Sequence, residues 1–174
     1  QLTALPSSSD SAPWFALLSQ YRQPVWLDSG RPQSTYGRFD IMSANPDLII
    51  TTSGMQTLVQ DSLGNTLETT LENPIQVLQR YQPTATNSLP ETPFTGGFIG
   101  YFAYDLGRRF ERLPEEAEAD IAIPDMDVGR YLWAIVQDHE QQKAWLVQHP
   151  QADIDADLLE KTWSARCRHH RAAS

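Results

Sequence analysis

The chain has 174 residues, 40% of them hydrophobic and 20% charged, with 22 acidic against 13 basic side chains and a formal net charge of −9. That length suits one compact unit with its own core, and the negative balance repels a polyphosphate backbone, which argues against a nucleic-acid partner. No apolar run reaches the roughly 18 residues of a membrane span, the first ten residues lack the pattern of a secretory signal, and the lone Cys167 excludes an internal disulfide or a Cys-rich zinc site, so a cytoplasmic protein is expected.

Residues 1–13, rich in Ser and Pro, read as an extended lead. In "APWFALLSQYRQ", Trp14, Phe15, Leu17, Leu18 and Tyr21 recur at helical spacing and predict a short packed helix. "PVWLDSG" gives a brief strand at Val25–Leu27 followed by turn formers, and the chain re-extends from Arg38 to Ser43 until Asn45-Pro46 ends it. "DLIITTS" and "MQTLVQDSLGNTLETT" read as three short strands in a meander, the last two joined by a turn at Gly64-Asn65. In "NPIQVLQRYQP", Asn73 caps a helix that opens with Pro74 and turns Ile75, Leu78 and Val77 inward. A Pro/Thr/Asn-rich linker runs to Pro93.

"GGFIGYFAYDLGRR" follows. It has neither the Lys-Ser/Thr of a P-loop nor G-x-G-x-x-G spacing, and aromatics interleave with its glycines. Gly96, Gly97 and Gly100 therefore read as structural, in a buried strand approached closely by another backbone or a flat ligand. On a helical turn Asp105 faces both Arg108 and Arg109, which suits a fixed strand-to-helix junction better than acid/base chemistry. The acidic run Glu115–Asp120 lacks a metal-ligand pattern and reads as a solvated face. "VGRYLWAIVQDHEQQKAWLVQHP" predicts a hairpin with strands at Tyr131–Val136 and Ala144–Val147 and a polar tip. "DIDADLLEKTWSARCRHH", acidic at its start and basic at its end, predicts a closing helix. Cys167, His169 and His170 lie too close together for an ordinary closed metal site.

These elements describe an α+β domain of antiparallel β-sheets packed with a few helices. Its four histidines, at a hairpin tip, a loop and the tail, suggest no nucleophilic triad. One constellation remains. Asp28-Ser29 with "YGRFD" could hold a small zwitterion, using Arg38 for its carboxylate, polar turn groups for its amine and aromatic rings for its body. An edge turn with a surface arginine is the equally weighted alternative.

Taken together, "GGFIGYFAYDLGRRFERLP", "PVWLDSG", "YGRFDI" and "DIAIPDMDVGRYLWAIVQDH" resemble the N-terminal domain of the aminodeoxychorismate (para-aminobenzoate) synthase component I family, over most of the chain from Trp14 to Trp163. The related anthranilate synthase component I shares that architecture. Where that relative has Leu-Leu-Glu-Ser, this chain has "WLDS", with Asp28 in place of Glu. The resemblance implies a tryptophan-type pocket lined by Ser29, Tyr36, Gly37, Arg38 and Phe39. It also implies an anthranilate synthase component I-like fold over residues 14–174, with no catalytic or metal-binding residue and no cofactor in this domain. The amination of chorismate would be carried out, with magnesium, in a C-terminal chorismate-binding domain absent from the chain. Ammonia would come from a glutamine amidotransferase subunit, component II. The lack of an initiator Met fits a piece of a longer enzyme, inactive alone. A feedback domain of anthranilate synthase, or an amino-acid-binding module with no enzymatic parent, is the alternative expectation.

Overall fold

The computed structural model describes residues 1–8, 10–31, 34–84, 92–111, 123–152, 154–155, 159, 161 and 163. The chain divides into two compact units, Gln1–Asn45 with Ala85–Gly96 and Leu132–Ser174, and Pro46–Thr84 with Gly97–Tyr131. Each is built on one five-stranded antiparallel sheet.

In the first unit the strands are β1 (Leu2–Leu5), β2 (Val25–Leu27), β3 (Phe39–Ser43), β9 (Trp133–Asp138) and β10 (Lys143–Gln148), in the order β1-β10-β9-β3-β2. Within the expected lead, Leu2–Leu5 is paired as an edge strand on Val147–Ala144, and Ala12 and Pro13 already belong to helix α1 (Ala12–Leu18) rather than to an extended segment. β9 lies at the centre and is buried along its whole length, so alternate residues feed two apolar clusters. Trp133 and Ile135 join Met42, Ala144 and Leu146 beneath helix α1 (Ala12–Leu18), which contributes Trp14, Leu17 and Leu18. Ala134 and Val136 join Trp145 and Val147, with Phe39, Ile41 and Phe94 packed alongside. Helix α1 starts without a side-chain cap from Ser11; Asp10 Oδ1 accepts from the Ala12 N–H instead, at 2.9 Å. Asn45, at φ 54°, turns the chain out of β3, a left-handed conformation that asparagine tolerates. Of the expected closing helix, Leu159 and Trp163 are helical and buried, and Trp163 stacks on Trp14 with ring centroids 3.6 Å apart. The rest of that helix, the tail with Cys167, His169 and His170, and the acidic run 115–120 lie outside the described residues.

The second unit carries β4 (Leu48–Ser53), β5 (Gln56–Asp61), β6 (Thr66–Thr70), β7 (Gly97–Phe102) and β8 (Met126–Tyr131), in the order β6-β5-β4-β8-β7. The meander β4-β5-β6 and the turn at Gly64-Asn65 are as expected, with Asp61 Oδ1 accepting from the Leu63 and Asn65 N–H groups. Helix α2 (Pro74–Tyr81) covers the sheet, and Asn73 accepts from the Ile75 N–H at 2.8 Å. Pro74, Val77 and Leu78 face inward, whereas Ile75 faces out, because it sits too far around the 3.6-residue turn from the Val77–Leu78 stripe. The hairpin reading placed a single strand at Tyr131–Val136. The chain instead makes two, β8 and β9, one in each sheet. The apolar run gives no sign of the change of sheet, since both strands are buried there.

Two expectations for the glycine-aromatic stretch need correction. β7 is an edge strand, buried at Gly97 and Ile99 and exposed at Tyr101 and Phe102, with no neighbouring strand on its outer edge among the described residues. The close backbone approach is present: a Cβ on Gly100 would stand 2.1 Å from the Asp127 carbonyl oxygen and 2.6 Å from Val128 Cα. After it, Tyr104–Arg109 forms a 3₁₀ helix rather than an α-helical turn. With three residues per turn, position i+3 eclipses position i while i+4 points elsewhere. Asp105 accordingly pairs with Arg108 at 2.7 Å, and Arg109 turns away to donate to the carbonyls of Leu71, Glu72 and Gly54 at 3.0, 2.9 and 3.4 Å.

Arg109 thus joins three separate segments of the second unit, while Asp105–Arg108 is an exposed pair of the kind that adds little stability. Arg109→Ala is expected to lower stability by about 1 kcal/mol, from lost hydrogen bonds, and Asp105→Ala to leave the melting temperature unchanged within error. Thermal melts of the two variants beside the parent chain check the difference.

Candidate functional site

Residues 28–31 and 34–40 and the β9–β10 tip form a polar cluster at one end of the first sheet. Antiparallel pairing sets Phe39 opposite Asp138 and Asp40 opposite Gln137. Alternation along β3 puts Asp40 on the α1 face with Met42, and Phe39 on the opposite face with Ile41. Asp40, Gln137 and Asp138 are all buried, and a charged group is tolerated in such a place only when neighbours satisfy it.

Asp138 is satisfied on both oxygens. Oδ1 accepts from the Glu140 and Gln141 N–H groups, each at 2.9 Å, and so fixes the hairpin tip. Oδ2 accepts from Arg38 Nε at 3.0 Å and Nη2 at 2.8 Å. Burial pushes this carboxyl up, but the Arg38 hydrogen bond, the two tip amides and the positive charge outweigh it and hold the carboxyl below its ordinary value. The guanidinium also lies 4.5 Å from the centroid of the Phe39 ring. Nη1 has no partner among the described residues.

Asp40 does the same work on the other face. Its Oδ1 accepts from both the Ser29 N–H and the Ser29 hydroxyl, each at 2.8 Å. Oδ2 lies 2.9 Å from His139 Nε2, whose N–H direction misses the oxygen. Burial acts to raise the Asp40 carboxyl. It is outweighed by the polar groups around it (the Ser11 hydroxyl, the Ser29 amide, the His139 ring and the Ser29 hydroxyl), and the carboxyl is held low.

Between these anchors the loop is tied to itself. Asp28 Oδ1 accepts from the Gly30 N–H at 2.7 Å, Ser34 Oγ from the Tyr36 and Gly37 N–H groups, and Arg31 donates to the Gly37 and Thr35 carbonyls. A Cβ on Gly37 would stand 2.2 Å from the Ser29 carbonyl oxygen, so only glycine lets the two arms of the loop touch.

Of the five residues expected to line a pocket, Ser29 and Gly37 are thus in direct contact, Arg38 and Phe39 share one cation–π contact, and the Tyr36 ring is 97% exposed. The sequence reading included Asp40 in the constellation without giving it a role, and missed Asp138 and His139 as members of this cluster. The available signal was a charged residue at an inward position of the apolar run "FDIMS", and a polar end, "QDH", on an otherwise apolar strand. Among the described residues no three His, Cys, Asp or Glu side chains are grouped to hold a metal ion, and no helix is long and apolar enough to cross a membrane.

The model of the chorismate binding enzyme family matches residues 22–172, which takes in this cluster and every described strand but β1. The chain belongs to the chorismate binding enzyme family. It is 44% identical over 153 residues to aminodeoxychorismate synthase component 1 of Escherichia coli, covering 84% of this chain and 33% of that protein. It is 32% identical over 144 residues to the chloroplastic anthranilate synthase alpha subunit 2 of Arabidopsis thaliana, covering 77% and 23%. Its fold is similar to that of anthranilate synthase component I from Streptococcus pneumoniae, with a TM-score of 0.57 at 23% identity, over 83% of this chain and 33% of that one. The chain therefore spans about a third of the length of the aminodeoxychorismate synthase relative that it matches. The expected antiparallel α+β architecture is the one observed.

A lowered carboxyl pKa contributes stability that is complete above the unfolded value, about 3.9 for Asp, and is lost as pH falls through the lower folded value. Asp40→Asn is expected to cost about 1–3 kcal/mol near neutral pH, the range for a buried polar group deprived of its partner, and to flatten the loss of stability below about pH 4. Urea unfolding at a series of pH values measures both effects.

Proposed function

We propose that this chain is the N-terminal part of an aminodeoxychorismate synthase component I, an enzyme that replaces the 4-hydroxyl of chorismate with ammonia to give 4-amino-4-deoxychorismate, the precursor of para-aminobenzoate. The observation that carries this reading is the 44% identity to the Escherichia coli aminodeoxychorismate synthase component 1, against 32% to the Arabidopsis anthranilate synthase subunit. Catalysis, with its magnesium, belongs in this proposal to a chorismate-binding domain outside these residues. Ammonia comes from a glutamine amidotransferase subunit, and the domain described here turns over nothing alone.

The role proposed for this domain is support of that chorismate-binding domain together with a tryptophan-type pocket. Ser29, Tyr36, Gly37, Arg38 and Phe39 form it. Arg38 suits the carboxylate of an amino acid because Asp138 holds its Nε and Nη2 and leaves Nη1 open among the described residues. Phe39 and the neighbouring apolar cluster of Val136, Trp145 and Val147 suit an aromatic body.

Two measurements test the reading. The gene for the longer protein, expressed with an amidotransferase subunit in a bacterium lacking its own component I, is expected to restore growth without para-aminobenzoate; accumulation of anthranilate instead would reassign the enzyme. Calorimetry of the 174-residue chain with L-tryptophan is expected to show binding that Arg38→Ala weakens by about tenfold or more, the scale for losing a charge-assisted contact. A folded chain that gives no heat removes the pocket from the proposal.

A further inference from the structure

Four strands stand at the edges of the two sheets, and three of them carry a feature that discourages pairing with further chain. β1 has four residues and β2 three, too short to present a long template. β6 has a broken register against β5 and carries Glu68. β7 has none of these features. Its six residues, Gly97–Phe102, include no charge and no proline, and they pair with β8 in unbroken register from Gly97↔Tyr131 to Phe102↔Met126.

One hydrogen bond gives the direction of its backbone groups. The Ala103 N–H donates to the Asp125 carbonyl at 2.8 Å, on the β8 side. In an antiparallel pair every second residue turns both its N–H and its C=O towards the partner strand. Ile99 and Tyr101 therefore point to β8, while Phe98, Gly100 and Phe102 point away from it. The tight seat of Gly100 against Val128 Cα agrees, since facing residues that share no hydrogen bonds stand closest. A row of main-chain donors and acceptors thus meets no strand among the described residues. The side chains beside it are apolar too: Tyr101, Phe102 and Tyr104 are 41%, 53% and 86% exposed. An edge that is long, uncharged and apolar is a template for one more strand.

We propose that the outer edge of β7 receives a β-strand from the chorismate-binding domain of the longer protein, which continues the second sheet beyond its five strands. The occupant rests on the reading of the chain given above, as part of such an enzyme. Two observations favour it over a second copy of this chain. The chain covers 33% of the Escherichia coli relative, so in a protein of that length most residues lie elsewhere on the same polypeptide, and a tethered strand meets the edge at an effective concentration that a separate molecule does not reach. Each copy of this chain also carries a net charge of −9, with Asp127 opposite Tyr101 and Asp125 beside Ala103, so two such edges brought together repel.

The test is hydrogen exchange resolved to single amides, on the 174-residue chain and on the longer protein. Ile99 and Tyr101 are expected to exchange slowly in both. Phe98, Gly100 and Phe102 should exchange freely in the 174-residue chain and more slowly by about tenfold or more in the longer protein. Phe102→Pro removes one outward donor and leaves the β8 ladder intact. In the longer protein it should melt below Phe102→Ala, whereas in the 174-residue chain the two should melt together. Fast exchange of the three amides in the longer protein overturns the proposal, as do equal melts of the two variants there. Slow exchange already present in the 174-residue chain overturns it too: if independent of concentration, the edge is covered from within, and if it grows with concentration, a second copy covers it. Protection that appears only when an amidotransferase subunit is added gives the edge to that partner and likewise overturns the proposal. A longer protein that makes anthranilate yet protects the three amides supports the strand pairing and counts against the reaction proposed above. One that makes 4-amino-4-deoxychorismate with the three amides unprotected does the reverse.

Discussion

The register of β3 on β9 is the constraint on which the site depends. Opposing Phe39 to Asp138 and Asp40 to Gln137 commits two carboxylates to the buried end of a central strand pair, one on each face. Neither could remain ionised there unaided. Arg38 and Ser29 are drawn in to satisfy them, and the loop between those residues follows. A slip of one residue would send Asp40 to the Phe39 face and undo both arrangements at once.

The same pairing explains why the polar cluster and the core do not compete. β9 feeds Trp133 and Ile135 to the cluster under α1 and Ala134 and Val136 to the cluster on the other face, so the strand is anchored by packing before its polar end is reached. The ion pair and hydrogen bonds at residues 137–140 decide the placement of the loop, while the apolar stretch supplies the burial that makes their strength matter. In the second unit the role is reversed. There Arg130 secures the ends of strands, pairing with Asp47 on two nitrogens and donating to the Tyr81 carbonyl, and Arg109 ties its 3₁₀ helix to two loops, at Gly54 and at Leu71–Glu72.

Much of this was readable from the residues. Alternation and turn chemistry gave the meander β4-β5-β6, the capped α2 and the β9–β10 hairpin, since each is encoded locally. The change of sheet at Tyr131–Trp133 was not, because both strands are buried and buried strands lose the alternation that marks their faces. Arg109 was misassigned because a 3₁₀ turn and an α-turn share the same sequence signals and differ only in where the fourth residue points. For the site, the loop was legible as turn formers beside an arginine. Its partners Asp138 and His139, a hundred residues further on, were not: only the strand register brings them to Arg38 and Asp40.

The most direct test of the central claim is a double-mutant cycle on Arg38 and Asp138, using Arg38→Met, Asp138→Asn and the pair, with urea unfolding of the 174-residue chain at neutral pH. If a buried carboxylate is held by that guanidinium, Asp138→Asn in the Arg38→Met background should cost much less than in the parent, so that the two changes are far from additive. Strict additivity would mean that the two groups do not depend on each other, and the account of how the segment is placed would be wrong.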